Sequence, residues 1–391
     1  MSMFDFMSLP VIDSHAHPFN PGREKTPFAR GFTGNQDPAS ANDLQYLTSY
    51  RMVLQEFKRL FNMPNASEEE LLAKREELAK GNYKEYVRML FDECKITALL
   101  SDYGFPISAK LKLTPEELRE FNGVADGIFD VYDIIRVETS CDRLFKKGMT
   151  LEDLETALDN YIGEHIKKRK TVGLKSVIGY YTGLDIKQVS RDEASNAFYA
   201  YFYTNPNDQK ANKIFRDYMF FKAMELCVKY DLTLQVHTGQ GDPPMTDLRT
   251  MNPIVMYDVF NSDLGHKTRI VLIHAGIPFG AETACIVQTY TNVFMDISCL
   301  SAFEGAYLEQ MFPGILDLCP HNKLMYGTDV GGLVDEAWFG TMYFKRYLAE
   351  ELERRVLKNQ FTKEYAEQIA EMILSENCKR IYKMDRAFDL Q

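Results

Sequence analysis

Residues 214–239 read IFRDYMFFKAMELCVKYDLTLQVHTG, a helical apolar pattern that gives way to a short β-rich run ending near His237. Helix then strand, with a polar side chain at the strand's end, is the unit from which the whole chain can be read. The strand part, LTLQVHTG (232–239), has seven counterparts: PVIDSHAH (10–17), ITALLSDYG (96–104), IIRVETS (134–140), VGLKSVI (172–178), RIVLIHAG (269–276), NVFMDIS (292–298) and KLMYGTD (323–329). Helical periodicity fills most of the gaps between them. Eight strands alternating with helices predict an α/β fold, a (β/α)8 TIM barrel.

The 391 residues are expected to form one domain, 1–391, with a helical insertion at 18–95 that contains SEEELLAKREELAK (67–80). A second long connection, 179–231, holds the aromatic run FYAYFYTN (198–205), read as a helix packing its rings on the barrel in preference to a substrate lid. From about residue 340 the tail reads as two helices.

A net charge of −11 argues against nucleic acid or anionic membranes as partners and leaves a small-molecule substrate. No apolar run of about 18 residues occurs, so no transmembrane helix is expected. The N-terminus lacks the pattern of a secretory signal. Seven cysteines without a Cys-x-x-Cys pair fit reduced thiols and a cytoplasmic location. A homo-oligomer is compatible with all of this.

Residues i and i+2 of a strand share a face, so His15 and His17 point the same way at the end of the first strand. His237, His274 and Asp329 end the fifth, sixth and eighth strands, each after an apolar run. Five ligand-type side chains thus fall on one rim of one barrel, and imidazoles with a carboxylate suit Zn²⁺ or a similar divalent ion. Lys175, inside the apolar fourth strand, would be costly as an unpaired ammonium. A neutral lysine amine can add CO₂ to form an anionic carbamate able to bridge two cations; the alternative is an unmodified lysine reaching to the rim. Asp13 and Gln235 are candidates for orienting the histidines. His165, in a charged segment, reads as a solvated helix residue, and His266 and His321 fall at the opposite end of the barrel.

The set VIDSHAH, GLKSV, VHTG, IHAG and YGTD resembles the amidohydrolase superfamily of metal-dependent barrels. GLKSVIGYYTGL, LQVHTGQGDP, DLRTMNP and ILSENCKRIY resemble the branch related to nodulin and FluG proteins, in which a similar region is fused to a glutamine-synthetase-like domain. No such region follows the barrel here, so the hydrolase part is expected to stand alone. The resemblance implies that His15, His17 and Asp329 hold one metal and His237 and His274 a second, with carbamylated Lys175 bridging two Zn ions. Asp329 would take a proton from the water and pass it to the leaving group.

The implied activity is hydrolysis of an amide or related C–N bond in a small carboxylate-bearing molecule. Two readings stand beside it: a one-metal decarboxylase or lyase, and a non-catalytic metal-binding module. Arg249, in the loop beyond His237, is the candidate for reading the substrate carboxylate, by a bidentate fork, or else it pairs with Asp247 or Asp242. Tyr181 stands where the branch often has an arginine and is the second substrate-side candidate.

Overall fold

The computed structural model describes residues 3–24, 27–34, 37–104, 114–241, 246–388 and 390. Its strands are Val11–Ala16 (β1), Ile96–Asp102 (β2), Asp130–Arg136 (β3), Thr171–Ser176 (β4), Thr233–His237 (β5), Arg269–Ile273 (β6), Val293–Asp296 (β7) and Leu324–Met325 (β8). They pair in parallel in the order β1 to β8. Backbone hydrogen bonds close the ring: Ser14 N–H donates to Tyr326 O (3.0 Å), Asp329 N–H to His15 O (2.9 Å) and His17 N–H to Val330 O (2.8 Å). This is the (β/α)8 barrel expected from the pattern. Register between β1 and β2 slips between Asp13 and Ala16, a bulge beside His15 and His17.

The third strand departs from expectation. It starts at Asp130 and stops at Arg136, and Val137–Leu144 is a helix. The β-branched residues of IIRVETS hide that turn. Ser140 Oγ donates to Arg136 O (2.7 Å), and the Glu138 carboxylate accepts from Ser176 Oγ (2.6 Å) and Val177 N–H (3.0 Å), which fastens the new helix to the end of β4.

Between β1 and β2 the chain forms short 3-10 turns and the helices Thr48–Leu60, Glu68–Gly81 and Tyr83–Cys94. Ser67 and Glu70 close a reciprocal cap on the second of these, as Ser-x-x-Glu patterns do. Phe57 stacks on Trp338 (5.7 Å), and Arg75 pairs with Asp335 (2.6 Å), so this layer packs on the long helix Val334–Leu357. The aromatic run packs as expected: Phe198 and Phe202 meet Phe145 and Phe215, while Tyr199 and Tyr203 face solvent. At the chain's end, Ile381 and Tyr382 join Leu100, Ile134, Val271 and Phe294 in one apolar cluster. No helix among the described residues is long and apolar enough to cross a membrane.

Lys345, buried on the long helix, donates to three carbonyls: Met7 O (3.2 Å), Leu9 O (2.6 Å) and Cys94 O (2.8 Å). Lys345→Met leaves those acceptors unmatched and should cost about 1–3 kcal/mol in urea unfolding. Burial pushes the Lys345 amine down to about 8 from 10.5, so the unfolded chain binds the extra proton between those values. The wild type should therefore gain stability as pH rises through that window, and the variant should not. Equal slopes in both proteins would show that Lys345 does not set this dependence.

Candidate metal centre

The ends of β1, β4, β5, β6 and β8 bring together the six expected ligands. Asp329 Oδ1 lies 3.1 Å from His15 Nε2 and 3.2 Å from His17 Nε2. His274 Nε2 lies 3.0 Å from His237 Nδ1, and the His15 and His274 rings are 5.3 Å apart. Lys175 Nζ sits 2.8 Å from His15 Nε2, with its side chain only 2% exposed. His274 and Asp329 follow their strands in left-handed backbone, with φ of 68° and 61°. Such conformations in branched or bulky residues cost energy and persist where surrounding contacts impose them, often at functional sites.

Each imidazole is anchored on its outer side. His15 Nδ1 meets Gln235 Oε1 (2.8 Å), whose amide nitrogen is already donating to Ser14 O and Tyr382 OH. His17 Nδ1 meets Asp102 O (2.9 Å), and His237 Nε2 meets Gln240 O (3.0 Å). His274 Nδ1 meets Ser298 Oγ (2.8 Å), which itself donates to Asp296 (2.6 Å). A carbonyl oxygen can only accept, so these partners assign the outer nitrogens as N–H donors and leave lone pairs facing inward. Two such lone pairs then oppose each other at 3.0 Å between His237 and His274. Asp329 Oδ1 is buried without a hydrogen-bond donor among the described residues. Inward acceptors crowded in this way fit a cation between them, with the outer contacts fixing ring orientation.

Burial pushes the His15 imidazole down to about 4, with Lys175 adding to the effect. Burial likewise holds His237 and His274 well below the usual histidine range, so these rings are neutral at pH 7, as metal ligands must be. Burial lowers the Lys175 amine as well, against the pull of Asp102.

Of the proposed orienting residues, Gln235 contacts His15 directly. Asp13 acts on the backbone, accepting from His15 N–H (3.2 Å) and Thr328 N–H (2.9 Å).

Three residues that sequence reasoning passed over belong to the site. Asp102, buried at the end of β2, accepts Arg136 Nε (2.9 Å) and Nη2 (2.5 Å) on Oδ2, with Lys175 Nζ at 3.4 Å. Arg136 ends β3 and lines the cavity above the histidines. Cys299 Sγ donates to Asp329 Oδ2 (3.0 Å) and lies 3.2 Å from His274 Nδ1. His274, Cys299 and Asp329 form a possible ligand group beside that of His15, His17 and Asp329.

The two substrate-side candidates lie elsewhere. Arg249 has a side chain 88% exposed, paired with Asp247 at 2.5 Å, and does not line the cavity. Asp247, two residues back, captures the guanidinium before it can reach the pocket. Asp242 and the paired prolines of the same loop lie outside the described residues. Tyr181 is covered by the Arg216 guanidinium, 4.0 Å from its ring centre, and it is the neighbouring Tyr180 that lines the cavity. His165 also differs from expectation: it is half-buried, with Nδ1 2.8 Å from Thr171 Oγ1.

Thr33 and Gly34 of the insertion stand on the wall of the cavity above the histidines. All seven cysteines are unpaired.

Residues 197–384, a little under half of the chain, match the family described as amidohydrolase. Among curated proteins the chain is similar to FluG of Emericella nidulans, 21% identical over 418 aligned residues, covering 96% of this chain and 46% of FluG. The chain thus spans less than half the length of that relative. Among solved structures it resembles a protein provisionally named a metal-dependent hydrolase, from Lactobacillus casei ATCC 334, with TM-score 0.80, 21% identity, and 97% and 96% of the two chains covered. It also resembles uronate isomerase from Thermotoga maritima, with TM-score 0.71, 15% identity, and 96% and 95% covered. At these identities the structural likeness is one of fold.

Proposed function

We propose that this chain is a metal-dependent hydrolase that cleaves an amide or related C–N bond of a small, carboxylate-bearing molecule. The observation that carries this reading is the set of inward lone pairs, each on a ring anchored from outside. His15, His17 and Asp329 would hold one divalent cation, and His237 and His274 a second, with zinc suited to the imidazole-rich set. Such ions, when bound, supply Lewis acidity that polarises a substrate carbonyl and acidifies water. Asp329 accepts the water proton and returns it to the leaving amine. Its Oδ2, fixed by the Cys299 thiol, stays oriented while Oδ1 faces His15 and His17. The cavity suits a small molecule, and the insertion excludes bulk water on one side.

Lys175, held toward its neutral form, would add CO₂ and release a proton, giving a carbamate between the two histidine groups. One observation favours the single-metal decarboxylase or lyase reading instead: an unmodified Lys175 already has Asp102 as counter-charge at 3.4 Å.

Metal content separates the two. Elemental analysis after dialysis against trace zinc should find about two ions per chain in the hydrolase reading. Lys175→Ala should lose metal and activity together, with partial recovery on adding a short carboxylic acid such as propionate. Saturation near one ion with full activity, or no effect of Lys175→Ala on metal content, would establish the single-metal site.

A further inference from the structure

Arg136 lines the cavity with unused donor capacity. Nε and Nη2 both bind Asp102 Oδ2, and Nη1 has no partner among the described residues. The residue is only 4% exposed, so that free edge is a desolvated cationic donor aimed into the pocket. Gly104 makes room for it: a Cβ at Gly104 would come within 2.6–2.8 Å of the Arg136 side chain. Gly104 N–H also donates to Asp102 Oδ1 (2.8 Å), which holds the carboxylate that in turn holds the arginine.

Glu304 lines the same cavity from the segment after β7, with no cation in ion-pair distance among the described residues. Burial raises its carboxyl above the ordinary value, against a hydrogen bond from Gln240, so it would gain from a positive neighbour. In a closed ring ordered β1 to β8, β3 and β7 are four strands apart in either direction. Arg136, at the end of β3, and Glu304, in the segment that follows β7, thus reach one cavity from strands four apart in the ring, and Lys175, His237, His274 and Asp329 line that same cavity.

We infer that the pocket takes a small zwitterion, its carboxylate on Arg136 and its ammonium on Glu304, so that the bond to be cut lies over the histidine cluster. The inference rests on the hydrolytic reading of this cavity and narrows its substrate to dipeptide-sized amides with both ends free. A planar guanidinium with an open edge selects a carboxylate, whereas a half-buried carboxylate without a cation selects an ammonium.

The test titrates the zinc-loaded full chain with alanyl-alanine, its N-acetyl form and its C-terminal amide. It reads the ligand-induced rise in Tm and, where a probe is cleaved, KM. Wild type should bind the free-ended dipeptide about tenfold more tightly than either blocked form, equivalent to about 1.4 kcal/mol each. Glu304→Gln should erase only the preference over the N-acetyl form. Arg136→Lys, which keeps a charge for Asp102 but loses the fork, should erase only the preference over the amide. Equal binding of all three probes, binding of none, or variants that weaken all probes alike would overturn the inference. The hydrolase reading fails separately: zwitterion preference with no metal-dependent cleavage of any amide sinks that reading and leaves the binding assignment standing. Cleavage of N-acyl amides without preference for a free ammonium does the reverse.

Discussion

Asp329→Asn should lower kcat by on the order of 10²–10⁴ while leaving most of the metal in place. The asparagine still offers one oxygen to a cation beside His15 and His17, and the histidines keep their outer anchors at Gln235, Asp102, Gln240 and Ser298. What disappears is the proton acceptor. With a cation bound, the amide also cannot serve both of its neighbours. If its oxygen faces the Cys299 thiol, its NH₂ turns toward the cation beside His15 and His17; the reverse orientation makes the thiol give up its donor role. Parallel measurement of kcat and bound zinc separates these effects. A zinc-replete variant turning over at the wild-type rate would remove Asp329 from proton transfer, whereas loss of zinc in proportion to activity would make it a ligand only.

The features that the sequence displays well are those written within a few residues. A short apolar strand ending in a histidine or aspartate is such a feature, and four of them place His15, His17, His237, His274 and Asp329 on one rim. The same pattern was present in LLSD and IIR, where Asp102 and Arg136 also come last after apolar runs. Strand-end position, applied to every strand rather than to those ending in familiar ligands, would have found both. Arg249 shows the opposite case. Its place in a catalytic-face loop says nothing about where the side chain points, and a local partner at Asp247 decided that. Cys299 carried no signal, because its contact with Asp329 depends on a left-handed turn after β7, with φ of 71°. The lysine in the fourth strand looked anomalous for a related reason: its counter-charge comes from β2, and pairing across strands is invisible to a window of sequence.

Asp102→Asn should cost about 3–5 kcal/mol of stability in the metal-free protein, because it leaves buried cations without a counter-charge. Asp102 is fully buried and serves four groups at once: Gly104 N–H on Oδ1, the Arg136 fork and Lys175 on Oδ2, and the His17 ring on its carbonyl. Asparagine keeps the backbone contact and one acceptor oxygen, but its NH₂ must face either the Gly104 N–H or the guanidinium, donor against donor. Burial opposes ionisation of Asp102, yet Arg136 and Lys175 outweigh it and hold the carboxyl far below its ordinary range. The wild-type advantage is therefore complete above the unfolded carboxylate value of about 3.9 and is lost only as pH falls through the lower folded value. Urea unfolding of both proteins should thus show a constant gap from neutral pH down to about pH 5, closing only in stronger acid. The size of the gap also reports on Lys175. If that lysine carries a carbamate when zinc and bicarbonate are supplied, Arg136 gains a second anion nearby and Asp102 loses one of its two cations. The penalty should then shrink relative to the metal-free protein. An equal penalty in both states would mean that Lys175 keeps its ammonium, and with it the single-metal reading of the site.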